Sequence, residues 1–178
     1  NSYRYFDWRA ARRTVSQDII QLESDLRIAI QEDQFELYYQ PQVDLETGRL
    51  SGTEALIRWR RSGSGEGSDS HFLSPADFIP VAEDSGLIIP IGHWVIKEAC
   101  RQAKLWQEEG YPPVTMSVNI SVIQFRQQDL VERIQEVLDE TVLAAEWLEL
   151  EVTESIVADD IERITKVLDE LKVLGIGV

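Results

Sequence analysis

The stretch GTEALIRW, residues 52–59, constrains the fold more than any other. Ala55, Ile57 and Trp59 alternate with Glu54, Leu56 and Arg58. A period of two marks a strand with two unlike faces. The pattern recurs twice. In VTMSVNIS, Val114, Met116, Val118 and Ile120 alternate with Thr115, Ser117, Asn119 and Ser121. In LELEVTE, Leu148, Leu150 and Val152 alternate with Glu149, Glu151 and Thr153. Each strand therefore has one apolar and one polar face.

Two sheets satisfy such strands. An antiparallel sheet with one solvated face is the simpler. A parallel sheet layered by helices on both sides would be apolar on both faces. A barrel differs, because its outer face meets helices while its inner face turns polar toward the C-terminal strand ends. In a barrel, Glu54, Asn119 and Glu151 would come from three strands into one cavity. Unpaired carboxylates are too costly to bury there. Two carboxylates and an amide oxygen form a hard, all-oxygen donor set suited to magnesium or manganese. Neither arrangement is excluded by alternation alone.

Element order favours α/β. Residues 15–33 read as an amphipathic helix with Val15, Ile19, Leu22, Leu26 and Ile30 on one stripe and a Thr14/Gln17 capping-box spacing. Strands at 35–43 and 49–59 flank the turn DLETGR and form an expected hairpin. The Gly/Ser-rich segment 61–70 reads as a flexible loop. Helices are expected at 74–87, opened by Ser74 and Pro75, and at 90–109, 128–141 and 159–174. The last is capped by Asp159 or Asp160 and stopped by Gly175, after which GIGV begins a further element. Strands alternating with helices after the hairpin point to a mainly parallel sheet.

Charge limits the partners. The net charge of −15 argues against nucleic-acid polymers and anionic membranes. Residues 128–172 hold fourteen acids against four bases, mostly at positions expected on solvated helix faces. No apolar run reaches the roughly 18 residues of a membrane span, so no membrane contact is expected. Cys100, the one cysteine, is expected in the core, and a cytoplasmic setting fits it. His71 falls in the expected loop and His93 in a helix, so neither is expected to bind metal.

The same residues carry a resemblance. YYQPQVDLETGRLSGTEALIRWR resembles the opening of EAL domains, the bacterial cyclic di-GMP phosphodiesterases, with EAL intact at Glu54–Leu56. SPADFIPVAEDSGLI, SVNISVIQF and LELEVTES resemble the family's later motifs, in the family's order, so the similarity covers roughly residues 17–178. It implies a modified TIM barrel, a (β/α) barrel whose first strand is antiparallel to the rest, present here in part. It implies hydrolysis of cyclic di-GMP to linear pGpG by a metal-activated water, with magnesium or manganese bound. On the matching positions, Glu54, Asn119 and Glu151 would be metal ligands. Gln40 and Arg58 would contact the dinucleotide, Leu56 would line the pocket, and Glu154 would support a loop.

The family's remaining motifs, a further strand bearing paired aspartates and then a catalytic lysine, do not occur within these residues, and the resemblance puts that lysine beyond Val178. The catalytic side chain is therefore left unassigned within residues 1–178. The expectation is the N-terminal half of an EAL domain over 34–178, a linker helix over 15–33, and the tail of a preceding domain or linker over 1–14. NSYRYFD weakly resembles the last strand of a GGDEF domain, the cyclase partner of many EAL domains. The chain by itself is expected to be inactive and to self-associate, as a homo-dimer or otherwise, through open sheet edges. The alternative is a degenerate receptor or interaction module that binds cyclic di-GMP without cleaving it.

Overall fold

The computed structural model describes residues 8–61, 71–152 and 161–178. Its first feature is the expected hairpin. Strand β1 (Phe35–Val43) pairs antiparallel with β2 (Leu50–Arg61). The turn forms because Asp44 Oδ1 accepts from the Thr47 amide and hydroxyl, both at 2.7 Å, while Gly48 takes φ +67°. An aspartate and a glycine supply what this turn demands: a side-chain acceptor and a positive φ.

The next pairings along the sheet are parallel. Strand β4 (Thr115–Ile120) lies beside β2, and β5 (Leu148–Val152) beside β4. Gly177 continues the ladder: its amide donates to Leu148 O at 2.9 Å and its carbonyl accepts from Leu150 at 2.8 Å. The element expected at GIGV is thus an isolated bridge at Gly177 with Val178 beside it, 44% exposed. The sheet order is β1-β2-β4-β5, mixed, with the first strand antiparallel. The reading of a purely antiparallel sheet with one wet face falls, because parallel strands require the helical crossovers this chain contains.

Helices cover the apolar face. Helix α1 (Trp8–Gln31) leads into β1. Helices α2 (Pro75–Asp84) and α3 (Ile88–Glu108) connect β2 to β4. The single turn α4 (Val122–Phe125) and helix α5 (Leu130–Thr141) connect β4 to β5, and α6 (Ile161–Leu174) follows. The hairpin is fixed to this layer by an aromatic cluster. Trp59 is fully buried and contacts Phe35 and Phe78 at ring-centroid distances of 5.9 and 5.5 Å. Trp94 meets Phe35 at 5.9 Å, and the Trp59 indole N–H donates to Gln34 Oε1 at 3.2 Å. Large rings close-packed in this way dominate core energetics, and the indole donor is satisfied as burial requires. Cys100 is fully buried in α3, and burial pushes its thiol up to about 12.

Several expectations need correction. Helix α1 is continuous from Trp8, so position 14 lies inside it and is not its start. No glycine or proline interrupts residues 8–31, so nothing breaks the helix there. Within its stripe Leu26 is buried and Leu22 and Ile30 pack against the core, but Ile19 is 48% exposed. His71 is not in a loop. It opens a short strand, β3 (His71–Leu73), which pairs antiparallel with the last residues of β2. Three residues carry no period of their own, so only the neighbouring edge reveals this strand. The expected helix 74–87 ends at Asp84, because Gly86 takes φ +75°, and Ser74 caps it as expected, accepting from the Ala76 amide. The helix expected to begin at 128 begins at Leu130, and α4, unforeseen, occupies the turn before it. The caps expected at Asp159 and Asp160 lie outside the described residues.

Two glycine substitutions should act with opposite signs. Gly92 sits in the buried interior of α3, where a Cβ would lie 1.7 Å from Gln124 Nε2. Gln124 cannot yield easily. It is buried and locked in a capping box with Ser121, through its amide and through its side-chain oxygen. Gly→Ala in an open helix would stabilise by about 1 kcal/mol. Gly92→Ala should instead destabilise by about 1–3 kcal/mol, the cost of overpacking. Val142 ends α5 at φ +57°, a left-handed conformation that a β-branched residue adopts at a cost of about 1–2 kcal/mol. Because Val142 is also 69% exposed, Val142→Gly should stabilise by about 1 kcal/mol. Urea denaturation of both variants measures the two signs.

Candidate functional site

Register carries the polar side chains onto one face. Gln40 lies opposite Glu54 across β1 and β2, and Tyr38 lies opposite Leu56. Glu54 pairs with Ser117 across β2 and β4, and Asn119 with Glu151 across β4 and β5. Residues two apart share a face. Gln40, Glu54, Leu56, Arg58, Asn119 and Glu151 therefore all project away from the helices, on the side opposite Ala55, Val118 and Leu150. Those three are at most 3% exposed. Asn119 and Glu151 stand near the C-terminal ends of their parallel strands, where barrel active sites are built.

One contact joins residues 65 positions apart. Asn119 Nδ2 donates to Glu54 Oε1 at 2.7 Å. A hydrogen bond to a carboxylate is among the stronger kinds and holds both side chains in place. It also leaves the amide oxygen of Asn119 and the second oxygen of Glu54 as acceptors. Glu54 and Glu151 are half-buried, whereas Asn119 and Gln40 are exposed. Among the described residues no three histidine, cysteine or carboxylate side chains gather to hold a metal. Glu54, Asn119 and Glu151 offer instead two carboxylates and an amide, oxygen donors of the kind magnesium and manganese take. That set fits a hard divalent ion. Glu154 lies outside the described residues.

Arg58 is placed on the same face, half-buried, four residues from Glu54. Its Nη1 donates to Ile57 O at 2.8 Å, and its guanidinium carbon stands 5.3 Å from the Tyr38 ring centroid. One of five donors is thus committed to the backbone. Neither histidine joins this group: His71 pairs with Arg61 on β3, and His93 lies on α3. Val178 does not join it either. It follows the Gly177 bridge beside β5, with an aliphatic side chain that offers neither a donor nor a ligand.

Two residues of the polar pattern with no site role assigned from sequence, Ser117 and Glu149, also lie on this face. Ser117 is 1% exposed, and its Oγ has no hydrogen-bond partner among the described residues. It lies between Glu54 and Glu149 in the ladder, so Glu149, half-buried, shares this face. The period-two pattern marked both positions as polar-facing. Their burial depends on the neighbouring strands and has no signal in either segment.

Comparison with known proteins agrees with this geometry. The EAL domain profile matches residues 23–178. The chain is 39% identical over its whole length to the signaling protein YkoW of Bacillus subtilis (strain 168), and 36% identical to MucR of Pseudomonas aeruginosa, a bifunctional diguanylate cyclase/cyclic di-GMP phosphodiesterase. It spans 21% and 25% of those two proteins. The fold superimposes on the PaMucR phosphodiesterase in its c-di-GMP complex with a TM-score of 0.80 and 39% identity, covering 88% of this chain and 61% of that one. EAL domains are TIM-barrel-like, which accounts for a parallel ladder with one polar face and an antiparallel first strand. By sequence, by fold and by the position of its Glu54–Ala55–Leu56 motif, this chain belongs to the EAL domain family.

Proposed function

We propose that this chain supplies binding and metal-holding residues for the hydrolysis of cyclic di-GMP to linear pGpG, in bacterial second-messenger signalling. The observation that carries this reading is the Glu54–Asn119 hydrogen bond, set in a ladder that puts Gln40 and Glu151 on the same face. A receptor that only binds has no need to assemble two carboxylates and an amide in this way. Glu54, Asn119 and Glu151 would hold magnesium or manganese. The chemistry such an ion supplies is a water of lowered pKa and neutralisation of charge at phosphorus.

The chain's own groups do the rest. Arg58 offers a planar fork of donors suited to a phosphate oxygen pair. Gln40, opposite Glu54, orients the dinucleotide through its amide, and Leu56 gives the pocket its apolar wall. Glu154 supports the loop after β5 on this reading. The family likeness to MucR favours an upstream GGDEF-type cyclase domain reached through α1. No described helix is long and apolar enough to cross a membrane. The buried free thiol of Cys100 suits a cytoplasmic setting. Self-association through sheet edges remains part of this proposal.

Two variants of the full-length protein test the reading. Glu54→Ala should abolish conversion of cyclic di-GMP to pGpG in magnesium or manganese, with an unchanged melting temperature. Chromatography of the nucleotides reads the result, and wild-type turnover by a folded variant would overturn the assignment. Arg58→Ala should weaken cyclic di-GMP binding by about 1.5–3 kcal/mol, the range for a hydrogen bond to a charged group. Calorimetry that found the affinity unchanged would remove Arg58 from the site.

A further inference from the structure

Phe35, Trp59, Phe78 and Trp94 pack together on the helix-covered side of the sheet, whereas two aromatic residues face the site. Among the described residues only three aromatic side chains are strongly exposed: Tyr38 at 47%, Phe72 at 46% and Tyr111 at 61%. Tyr38 and Phe72 are on the site face. Tyr38 is two residues from Gln40 on β1, and Phe72 pairs with Arg60, which shares the parity of Glu54 and Arg58. They come from different strands on either side of β2 and still touch, with ring centroids 5.9 Å apart at 70°. Each carries an arginine. Arg58 stands 5.3 Å from the Tyr38 centroid, and Arg60 stands 4.8 Å from that of Phe72. Arg60 is in turn held by Glu36, Nε to Oε1 at 2.8 Å.

We propose that Tyr38, braced by the Phe72 ring set at 70° to it and flanked by Arg58 and Arg60, forms a stacking shelf for one purine base of the bound cyclic dinucleotide. Solvent exposure of two large rings in mutual contact is unfavourable unless something covers them. The chemistry they offer is two exposed rings nearly perpendicular to each other, each with a guanidinium over one face, which suits a flat, polarisable base attached to a phosphate. The phosphate partner is at hand. Arg58 packs on the Tyr38 ring, so a base on the shelf would lie next to the group that binds its phosphate. The position along the strands agrees. Tyr38 is opposite Leu56, between Glu54 and Arg58, so the shelf continues the site outward from the metal-holding residues. Stacking reads the flatness of the ring and not its hydrogen-bonding edge, so the shelf adds affinity and orientation without selecting guanine over adenine.

The inference rests on the cyclic di-GMP reading above, and the test separates the two. In the full-length protein, Tyr38→Ala and Phe72→Ala are each expected to weaken calorimetric binding of cyclic di-GMP by about 5- to 150-fold, the range for one stacked base. Tyr38→Phe, which keeps the ring, should stay within about twofold of wild type, whereas Tyr38→Leu, which keeps only apolar bulk, should fall with Tyr38→Ala. KM should rise in parallel while kcat changes little, because the shelf lies away from the metal-holding residues. Thermal melts check that each variant is folded, and the exposure of both rings makes that the expected result. If Arg58→Ala weakens binding and the ring variants do not, the shelf is overturned and the parent reading stands. If Tyr38→Leu retains wild-type affinity, apolar contact replaces stacking and the shelf is again overturned. If none of these variants, Arg58→Ala included, alters binding, both readings fall.

Discussion

The register of the β2–β4–β5 ladder is the constraint on which the rest depends. Ala55 opposite Val118, and Val118 opposite Leu150, fix which side chains meet the helices. A slip of one residue would reverse every side chain. Glu54, Asn119 and Glu151 would then be pressed into the apolar layer of α3 and α5, where unpaired carboxylates cannot be accommodated. The buried face therefore specifies the polar one. The site's geometry is a consequence of apolar packing on the opposite side of the same strands.

That packing is strongest around the hairpin. Phe35, Trp59, Phe78 and Trp94 join β1, β2, α2 and α3 in one cluster, and the Trp59–Gln34 bond fixes the end of β2 against the start of β1. A hairpin alone is marginal in water. Anchored in this way it becomes a rigid base for Gln40, Glu54, Leu56 and Arg58, all of which it supplies. Beside the last residues of β2, the antiparallel β3 carries Phe72 to the site face.

The polar face is organised by fewer interactions, and they differ in kind. Asn119 and Glu54 hold one another directly, which sets the spacing of two acceptor groups without a third partner. Arg58 is held by a carbonyl of its own strand and by an aromatic face, neither of which neutralises its charge. A guanidinium so placed is oriented and still available to an anion. Ser117, buried with its hydroxyl unpaired, shows that polar satisfaction on this face is incomplete among the described residues. A buried polar group without a partner is costly, so Ser117 weakens the packing it sits in.

Local chemistry was enough to read much of this from the sequence. Ser74 and Pro75 open α2, Asp44 and Gly48 make the hairpin turn, and Gly175 at φ +89° ends α6, each because the residue itself supplies the cap, the acceptor or, lacking a Cβ, the backbone freedom. Alternation separated Glu54, Asn119 and Glu151 from their apolar neighbours, because period two is a property of each strand alone. Elements without an inherent signal stayed hidden. The three residues of β3 exist as a strand through the edge of β2, α4 is one turn, and no breaker separates residues 8–14 from the rest of α1. Which polar faces would meet was also beyond the sequence. Glu54 and Asn119 are 65 residues apart, and only the parallel pairing of β2 with β4, enforced by helices packed on the far side, brings them to 2.7 Å. Residue type and spacing determined what chemistry each strand could offer. The tertiary structure decided which of those groups share a site, because long-range pairing is set by the burial of the whole apolar face and by no single segment of it.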